Sequence, residues 1–221
     1  MNDPQPVALI TGGQGNLGQA LATELRAGGF SVFDPGHEEL DVCSADSVTA
    51  YFKKIERIDL LVNNAGITLD GSILKMPEAE WDGVLDTNLK GGFRCAKAAF
   101  RIMLKQRVGH IVNIGSFSGV CPPAGQVNYA AAKAGLIGLT HVLADEGGKR
   151  SIRVNCVLPG FLETKMTRDL APAVIESAKQ KHVLGKFNTV DDVARFVTFL
   201  QSMEAVSGQV FQLDSRIRRW T

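Results

Sequence analysis

The chain has 221 residues, 45% of them hydrophobic and 21% charged, which suits one folded domain with a substantial core. Its 24 Lys and Arg against 23 Asp and Glu leave a net charge of +1, which argues against nucleic acid or an anionic membrane as the main partner. No run approaches the ~20 apolar residues that span a bilayer, and the opening MNDPQP has no basic segment ahead of an apolar one, so no signal peptide is expected.

In chain order, VALIT (7–11) reads as a short strand followed by a glycine-rich turn. Leu17, Leu21 and Leu25 then recur at helical spacing, and Gly28 and Gly29 are C-cap signals. SVF (31–33) reads as a strand and ELDV (39–42) as a short one. SADSVTAYFKKI opens on Ser44, an N-cap type, and continues as a helix. IDLLV (58–62) is a buried strand and 78–87 a helix. Leu89, Phe93, Ala96, Phe100 and Leu104 form one apolar stripe on the next helix. HIVNI (110–114) is a strand, 126–147 a helix, and IRVNCV (152–157) a strand. Helices are expected near 170–182 and over 190–202, and QVFQL (209–213) completes the sheet.

Strands alternate with helices, and most strands lack polar alternation. That pattern predicts an α/β fold, a single doubly wound, Rossmann-type parallel sheet with helices on both faces. With no repeat or linker, residues 1–221 read as one domain. The longest connection, 160–188, falls between strands, where such loops usually cover a site. Cys43, Cys95, Cys121 and Cys156 make no CxxC and read as small buried residues of a reducing cytoplasm. His37, His110, His141 and His182 share no ligand spacing, so no metal is expected. Arg216, Arg218 and Arg219 in RIRRWT read as a surface tail or subunit contact.

TGGQGNLG (11–18) joins the first strand to the first helix. Glycines there let a backbone approach a pyrophosphate, and the helix offers free N–H groups and a positive dipole end; the plain alternative is a tight turn without a ligand. In LVNNAG (61–66), Asn63 and Asn64 precede two small residues that leave room for a flat ring. Ser116 follows HIVNIG at another strand's carboxyl end, the edge where this fold binds ligands. Tyr129 and Lys133 stand four apart among alanines, so both project from one helix face. A phenol titrates near ~10 in water, and a nearby ammonium lowers that value. A tyrosine so tuned can exchange a proton with a carbonyl or alcohol oxygen. On its own, the spacing fits a surface Tyr–Lys pair as well.

Taken together, the glycine-rich turn, NNAG, Asn88, Ser116, Tyr129-x-x-x-Lys133 and Pro159-Gly160 resemble the short-chain dehydrogenase/reductase family over the whole chain. Within it, NNAGITLDG, EWDGVLDTNLKG, GQVNYAAAKAGLIGLT and VNCVLPGFLETKMT are most similar to the 3-oxoacyl-[acyl-carrier-protein] reductases of fatty-acid synthesis. The resemblance implies NAD(P)H-dependent reduction of a carbonyl, in the cytoplasm, on an acyl-thioester or other small-molecule substrate. Acyl carrier protein would be a partner, and the working form a homo-oligomer, dimer or tetramer. It implies that Tyr129 is the general acid, Lys133 lowers its pKa and holds the nicotinamide ribose, Ser116 polarises the carbonyl, and Asn88 holds a water linking Lys133 to solvent. Gly12, Gly13, Gln14 and Gly15 would follow the pyrophosphate, with Leu17 beneath the cofactor. Asp41 and Val42 would meet the adenine, and Asn64, Ala65 and Gly66 the adenosine side. Pro159, Gly160, Leu162 and Thr164 would meet the nicotinamide.

Three departures stand out. The family's TGxxxGxG becomes TGxxGxxG, with Asn16 at the usual middle glycine and asparagine's tolerance of positive φ as the expected remedy. SVFDPGHEELDV leaves room for only a turn where a helix usually joins strands 2 and 3. That region chooses between NAD and NADP: Asp34 would suit the ribose of NAD, His37 a phosphate, and the resemblance favours NADP. The family's closing glycine pair is replaced by Ser215-Arg216. A dehydrogenase of a sugar or polyol, and a non-catalytic dinucleotide sensor, remain the alternative readings.

Overall fold

The computed structural model describes residues 4–164, 167–168 and 171–217; Arg218 and Arg219, and the start of the helix expected at 170, lie outside them. In chain order the elements are β1 (Val7–Ile10), α1 (Asn16–Ala27), β2 (Ser31–Phe33), α2 (Ala45–Phe52), β3 (Leu60–Asn63) and α3 (Glu78–Leu85). A π-helical turn (Asp86–Gly91) leads into α4 (Gly92–Gln106), then β4 (Gly109–Ile114) and a 3₁₀ turn (Phe117–Gly119). The chain continues with α5 (Val127–Gly148), β5 (Ile152–Leu158), α6 (Pro172–Gln180), α7 (Val190–Gln201) and β6 (Val210–Gln212).

The six strands form one parallel sheet in the order β2-β1-β3-β4-β5-β6. Leu9 lies opposite Phe33 on one side and Leu61 on the other, and Leu61 opposite Ile111. Alternate strand residues feed opposite layers, as the two-residue period of a strand requires. Leu9, Leu61, Ile111 and Val154 join α2 and α4 through Val48, Phe52, Cys95, Ala96, Ala99 and Met103. Ala8, Ile10, Leu60, Val62 and Val112 join α1 and α7 through Leu21, Leu25, Val193 and Val197. Both faces are covered, which is why the central strands show no regular alternation of apolar and polar residues.

Ser44 caps α2 as expected, its hydroxyl accepting from Ser47 N at 3.2 Å. The strand expected at 39–42 does not form. Leu40 N and Glu39 N turn back to the Gly36 carbonyl, Cys43 N bonds the Asp41 carboxylate, and Asp41 N bonds the Ser47 hydroxyl. Local acceptors take the N–H groups a ladder would need, so β2 is the sheet's edge. The segment from 34 to 44 is a turn carrying Leu40 and Val42 into the core.

The stripe on α4 is also displaced. Its buried face is Cys95, Ala96, Ala99 and Met103, while Phe93 and Leu104 are exposed. Small residues let the helix approach the sheet closely, and they win over the bulkier neighbouring row. Among the cysteines, Cys95 and Cys156 are buried as expected, while Cys43 is half-buried and Cys121 exposed. No helix among the described residues is long and apolar enough to cross a membrane.

Candidate active site

Strand order reverses between β1 and β3, and the crevice at their carboxyl ends is where a doubly wound sheet binds ligands. The two loops there are braced to each other. Thr11 Oγ accepts from Asn64 N and Ala65 N, both at 3.0 Å, and Asn64 Nδ2 donates to the Thr11 and Gly12 carbonyls at 3.0 and 3.1 Å. Gly12 takes φ +64°, and a Cβ on it would lie 3.0 Å from Ala65 Cα. Gly18 packs against the Gly12 and Gly13 backbone, so α1 starts tightly under the turn.

Gly13 does something other than line the crevice. Its N–H donates to the Pro35 carbonyl at 3.0 Å, and a Cβ there would collide with the Asp34 backbone. Its lack of a side chain lets the short 34–37 turn lie against the glycine-rich loop. Asn16 opens α1 with ordinary helical backbone; the left-handed residue of the loop is Gly12. The exchange of glycine for asparagine therefore needs no tolerance of positive φ.

Ser116 follows β4 and caps the 3₁₀ turn, its hydroxyl accepting from Ser118 N at 3.1 Å. Tyr129 and Lys133 project from the first turns of α5. Lys133 Nζ donates to the Ile114 carbonyl at 2.7 Å and sits 5.5 Å from the Tyr129 ring centroid. Asn128, fully buried, fixes this helix start: its Nδ2 donates to the Leu69 and Glu80 carbonyls and its Oδ1 accepts from Tyr129 N at 2.7 Å. Burial lowers the Lys133 ammonium to about 8, with Cys156 opposing. For Tyr129 burial again dominates and pushes the phenol up, the Ser116 hydrogen bond pulls it down, and Asp70 adds to the rise. The expected lowering by Lys133 is thus not what governs the phenol here. The protonated, proton-donating form is favoured.

Asn88 lies in the π turn, a device found often at functional sites. Its Oδ1 accepts from Ile67 N at 2.8 Å and its Nδ2 donates to Ile67 O at 2.9 Å. A Cβ on Gly66 would lie 3.2 Å from that Oδ1 and 3.7 Å from Lys133 Nζ, so the three meet behind the crevice.

The crevice is a cleft of about 1150 Å³. Gly12, Gln14, Gly15 and Leu17 line it at one end, Asn64, Ala65 and Gly66 along the floor, and Ser116, Tyr129 and Lys133 at the centre. Pro159, Gly160, Leu162 and Thr164 line the far wall, facing α6 through Ala173, Val174, Ser177 and Ala178. Asp41 and Val42, expected at the adenine, do not line it. Val42 is buried where a Cβ on Gly91 would touch it, and the Asp41 carboxylate accepts from Cys43 N and faces His37 at 3.8 Å. His37 and Gly36, on the short turn, do line it. Thr11 and Asn128 carry no role in the sequence reading, and Arg216, expected in a surface tail or subunit contact, instead lines the cleft. The only signal for Asn128 was its place beside Tyr129, and for Arg216 the lost glycine pair.

The cleft fits a nicotinamide dinucleotide: a glycine cradle at a helix N-terminus, a floor of small residues, and a buried lysine and tyrosine at the centre. Comparison with known proteins agrees. The family model described as enoyl-(acyl carrier protein) reductase matches residues 11–215. The 3-oxoacyl-[acyl-carrier-protein] reductase FabG of Thermotoga maritima is 39% identical, covering 94% of this chain and 96% of its own. Its counterpart in Pseudomonas aeruginosa is 42% identical over 89% and 90%, and that of Escherichia coli 37% over 97% and 98%. The Thermotoga alignment runs over 235 positions, more than the 221 residues here, so that relative carries segments this chain lacks. A solved structure described as the crystal structure of gox2181 superposes with a TM-score of 0.90 at 31% identity, covering 97% of this chain and 96% of its own. From glycine cradle to Tyr-x-x-x-Lys helix, the chain is a member of the short-chain dehydrogenase/reductase family.

Proposed function

We propose that the chain reduces the ketone of a 3-oxoacyl thioester to the 3-hydroxyacyl thioester, with NADPH as the reductant and acyl carrier protein as the natural carrier. The observation that carries this reading is the convergence of Ser116, Tyr129 and Lys133 in one cleft beside the glycine cradle. The reduced nicotinamide supplies a hydride to the carbonyl carbon when bound. The chain's part is to hold the ketone and deliver the proton. The Tyr129 phenol donates that proton to the carbonyl oxygen, and the Ser116 hydroxyl hydrogen-bonds the same oxygen as charge develops there. The Lys133 ammonium stabilises the phenolate left on Tyr129. Gly12 and Gly15 carry the pyrophosphate and Asn64, Ala65 and Gly66 the adenosine side, while Pro159 to Thr164 shape the nicotinamide end. Phe161, Leu162, Ala173 and Val174 make an apolar wall, which supports an acyl chain over a sugar or polyol.

The family model's description favours a second reading, reduction of a 2-enoyl thioester. The two differ in where negative charge appears: on the ketone oxygen, or on the thioester oxygen. Two hydroxyls converging on one point suit the ketone. The decisive assay follows NADPH and NADH consumption with acetoacetyl-CoA and crotonyl-CoA in parallel. Turnover with acetoacetyl-CoA is expected; turnover with crotonyl-CoA alone moves the assignment to the enoyl substrate, and none with either removes both.

NADPH is preferred here because, among the described residues, no acid lines the adenosine end of the cleft, the Asp41 carboxylate near His37 lying outside it. Asp34, which would bind a ribose diol, is drawn to Arg26 at 2.7 Å and stays out of the cleft wall. His37 lies in that wall and can meet a 2′-phosphate. His37→Ala is expected to weaken NADPH binding about tenfold, one charge-assisted hydrogen bond, and to leave NADH binding unchanged. Equal losses for both cofactors would remove His37 from this role.

A further inference from the structure

The last described residues fold back over the cleft and reach the turn that carries Ser116. Asp214 is buried below β6, against Gly160, where a Cβ would lie 2.7 Å from its own. Its carboxylate accepts from Gln212 Nε2 at 2.7 Å, from Arg216 N at 3.1 Å and from the Arg216 guanidinium through Nε at 2.7 Å and a second nitrogen. Burial opposes the charge on Asp214, but these hydrogen bonds outweigh it and hold the carboxyl below its usual range. Gln212 Nε2 also holds the Arg216 carbonyl at 2.6 Å. Arg216 is therefore fixed at both ends, and its guanidinium carbon lies 3.7 Å from the Phe117 ring centroid, stacked in the cleft wall.

Phe117 is the residue after Ser116 and the first of the 3₁₀ turn that Ser116 caps. A turn this short has little stability of its own and leans on contacts from outside: Ser118 Oγ donates to Gln126 Oε1 at 2.8 Å, and Gly119 packs against the Lys133 and Ala134 backbone. A planar cation on its lead aromatic adds a further such contact. Arg216 is a poor candidate for catching a substrate anion, because Asp214 already neutralises it.

We propose that Arg216 is a positioning residue for Ser116, acting through Phe117, with Asp214 as the anchor that holds the guanidinium in place. The role rests on the reading of Ser116 as the hydroxyl that binds the ketone oxygen. The strap stands at Ser215-Arg216, where the sequence departs from the glycine pair that often closes the family's last strand. Such a support matters because small displacements of a reacting group cost up to ~10²-fold in rate.

The test has one arm that needs no substrate. In hydrogen–deuterium exchange, Arg216→Ala is expected to speed exchange in the 115–121 segment, which holds Ser118 N on Ser116 Oγ, and to leave the β4 amides protected. Phe117→Leu should do the same, and the double variant no more than either alone. Unchanged exchange at 115–121, or additive effects in the double variant, would overturn the proposal whatever the substrate proves to be. In turnover, Arg216→Ala is expected to lower kcat about ten- to a hundredfold with NADPH affinity preserved, and Arg216→Lys to recover part of it. A raised KM with kcat intact would mean that Arg216 contacts substrate instead, and would equally overturn it. Wild-type turnover on acetoacetyl-CoA separates failure of the ketone reading from failure of the strap's role.

Discussion

Tyr129→Phe is expected to lower the rate of acetoacetyl-CoA reduction by about 10²–10⁴-fold, the range for removing a positioned general acid, and to leave NADPH binding unchanged. The substitution deletes one oxygen and keeps the ring. The ring still faces Lys133 Nζ 5.5 Å from its centroid, and Asn128 still receives the backbone N–H of residue 129, since that bond is made by the main chain. The helix start and the cofactor wall therefore survive. What is lost is the donor hydrogen-bonded with Ser116 and held protonated by burial. Single-turnover absorbance decay measures the chemistry, and fluorescence titration with NADPH measures binding. Loss of both together would make Tyr129 a binding residue, and normal turnover would remove it from the reaction.

Much of this was legible before the structure. Runs such as VALIT and HIVNI lack regular polar alternation because helices cover both faces, and they fall where β1 and β4 form. Ser44 announced α2 because capping is local chemistry, three residues from donor to acceptor. Signals that depended on choosing between close competitors failed. In ELDV the apolar spacing was right for Leu40 and Val42, which are buried, but Asp41 and Ser47 captured the N–H groups and no strand formed. On α4 two adjacent rows are apolar, and the sheet took the row of small residues. Packing decides that, not hydrophobicity.

The site shows the same division. Ser116, Tyr129 and Lys133 were visible as residue types at a spacing. The bonds that hold the site were not, because each reaches backbone far along the chain: Thr11 to Asn64, Asn128 to Leu69, Asn88 to Ile67, Lys133 to Ile114. A backbone carbonyl has no letter in the sequence. The same holds for Gly13, whose neighbour is the Asp34 backbone rather than the cleft.

The second large effect concerns Lys133, and its stability and activity consequences run in opposite directions. Moving its pKa from 10.5 to about 8 means that the folded protein holds this charge at a cost of about 3 kcal/mol at neutral pH. The cation is worth its cost in the reaction: its nitrogen lies 5.5 Å from the Tyr129 ring centroid, close enough to stabilise the phenolate that forms on that ring by Coulomb attraction. Lys133→Met removes both terms. Turnover should fall about 10²–10³-fold, as for loss of a preorganised charge, while Tm at pH 7 stays level or rises, because the lost bond to Ile114 O, about 1–3 kcal/mol, is offset by the vanished burial cost. The pH dependence has a definite sign. Below about 8 both folded and unfolded chains hold the proton, so the penalty is constant. Between about 8 and ~10.4 the unfolded chain keeps a proton that the folded one has released, so wild-type stability from this group rises with pH. The Tm advantage of Lys133→Met over wild type should accordingly shrink between pH 7 and 9.5. Wild-type reduction should decline above about pH 8 as Lys133 loses its charge, and the variant, already slow, should lack that limb. A Tm difference that grows with pH, or the same basic limb in both proteins, would show that Lys133 is not the group titrating there.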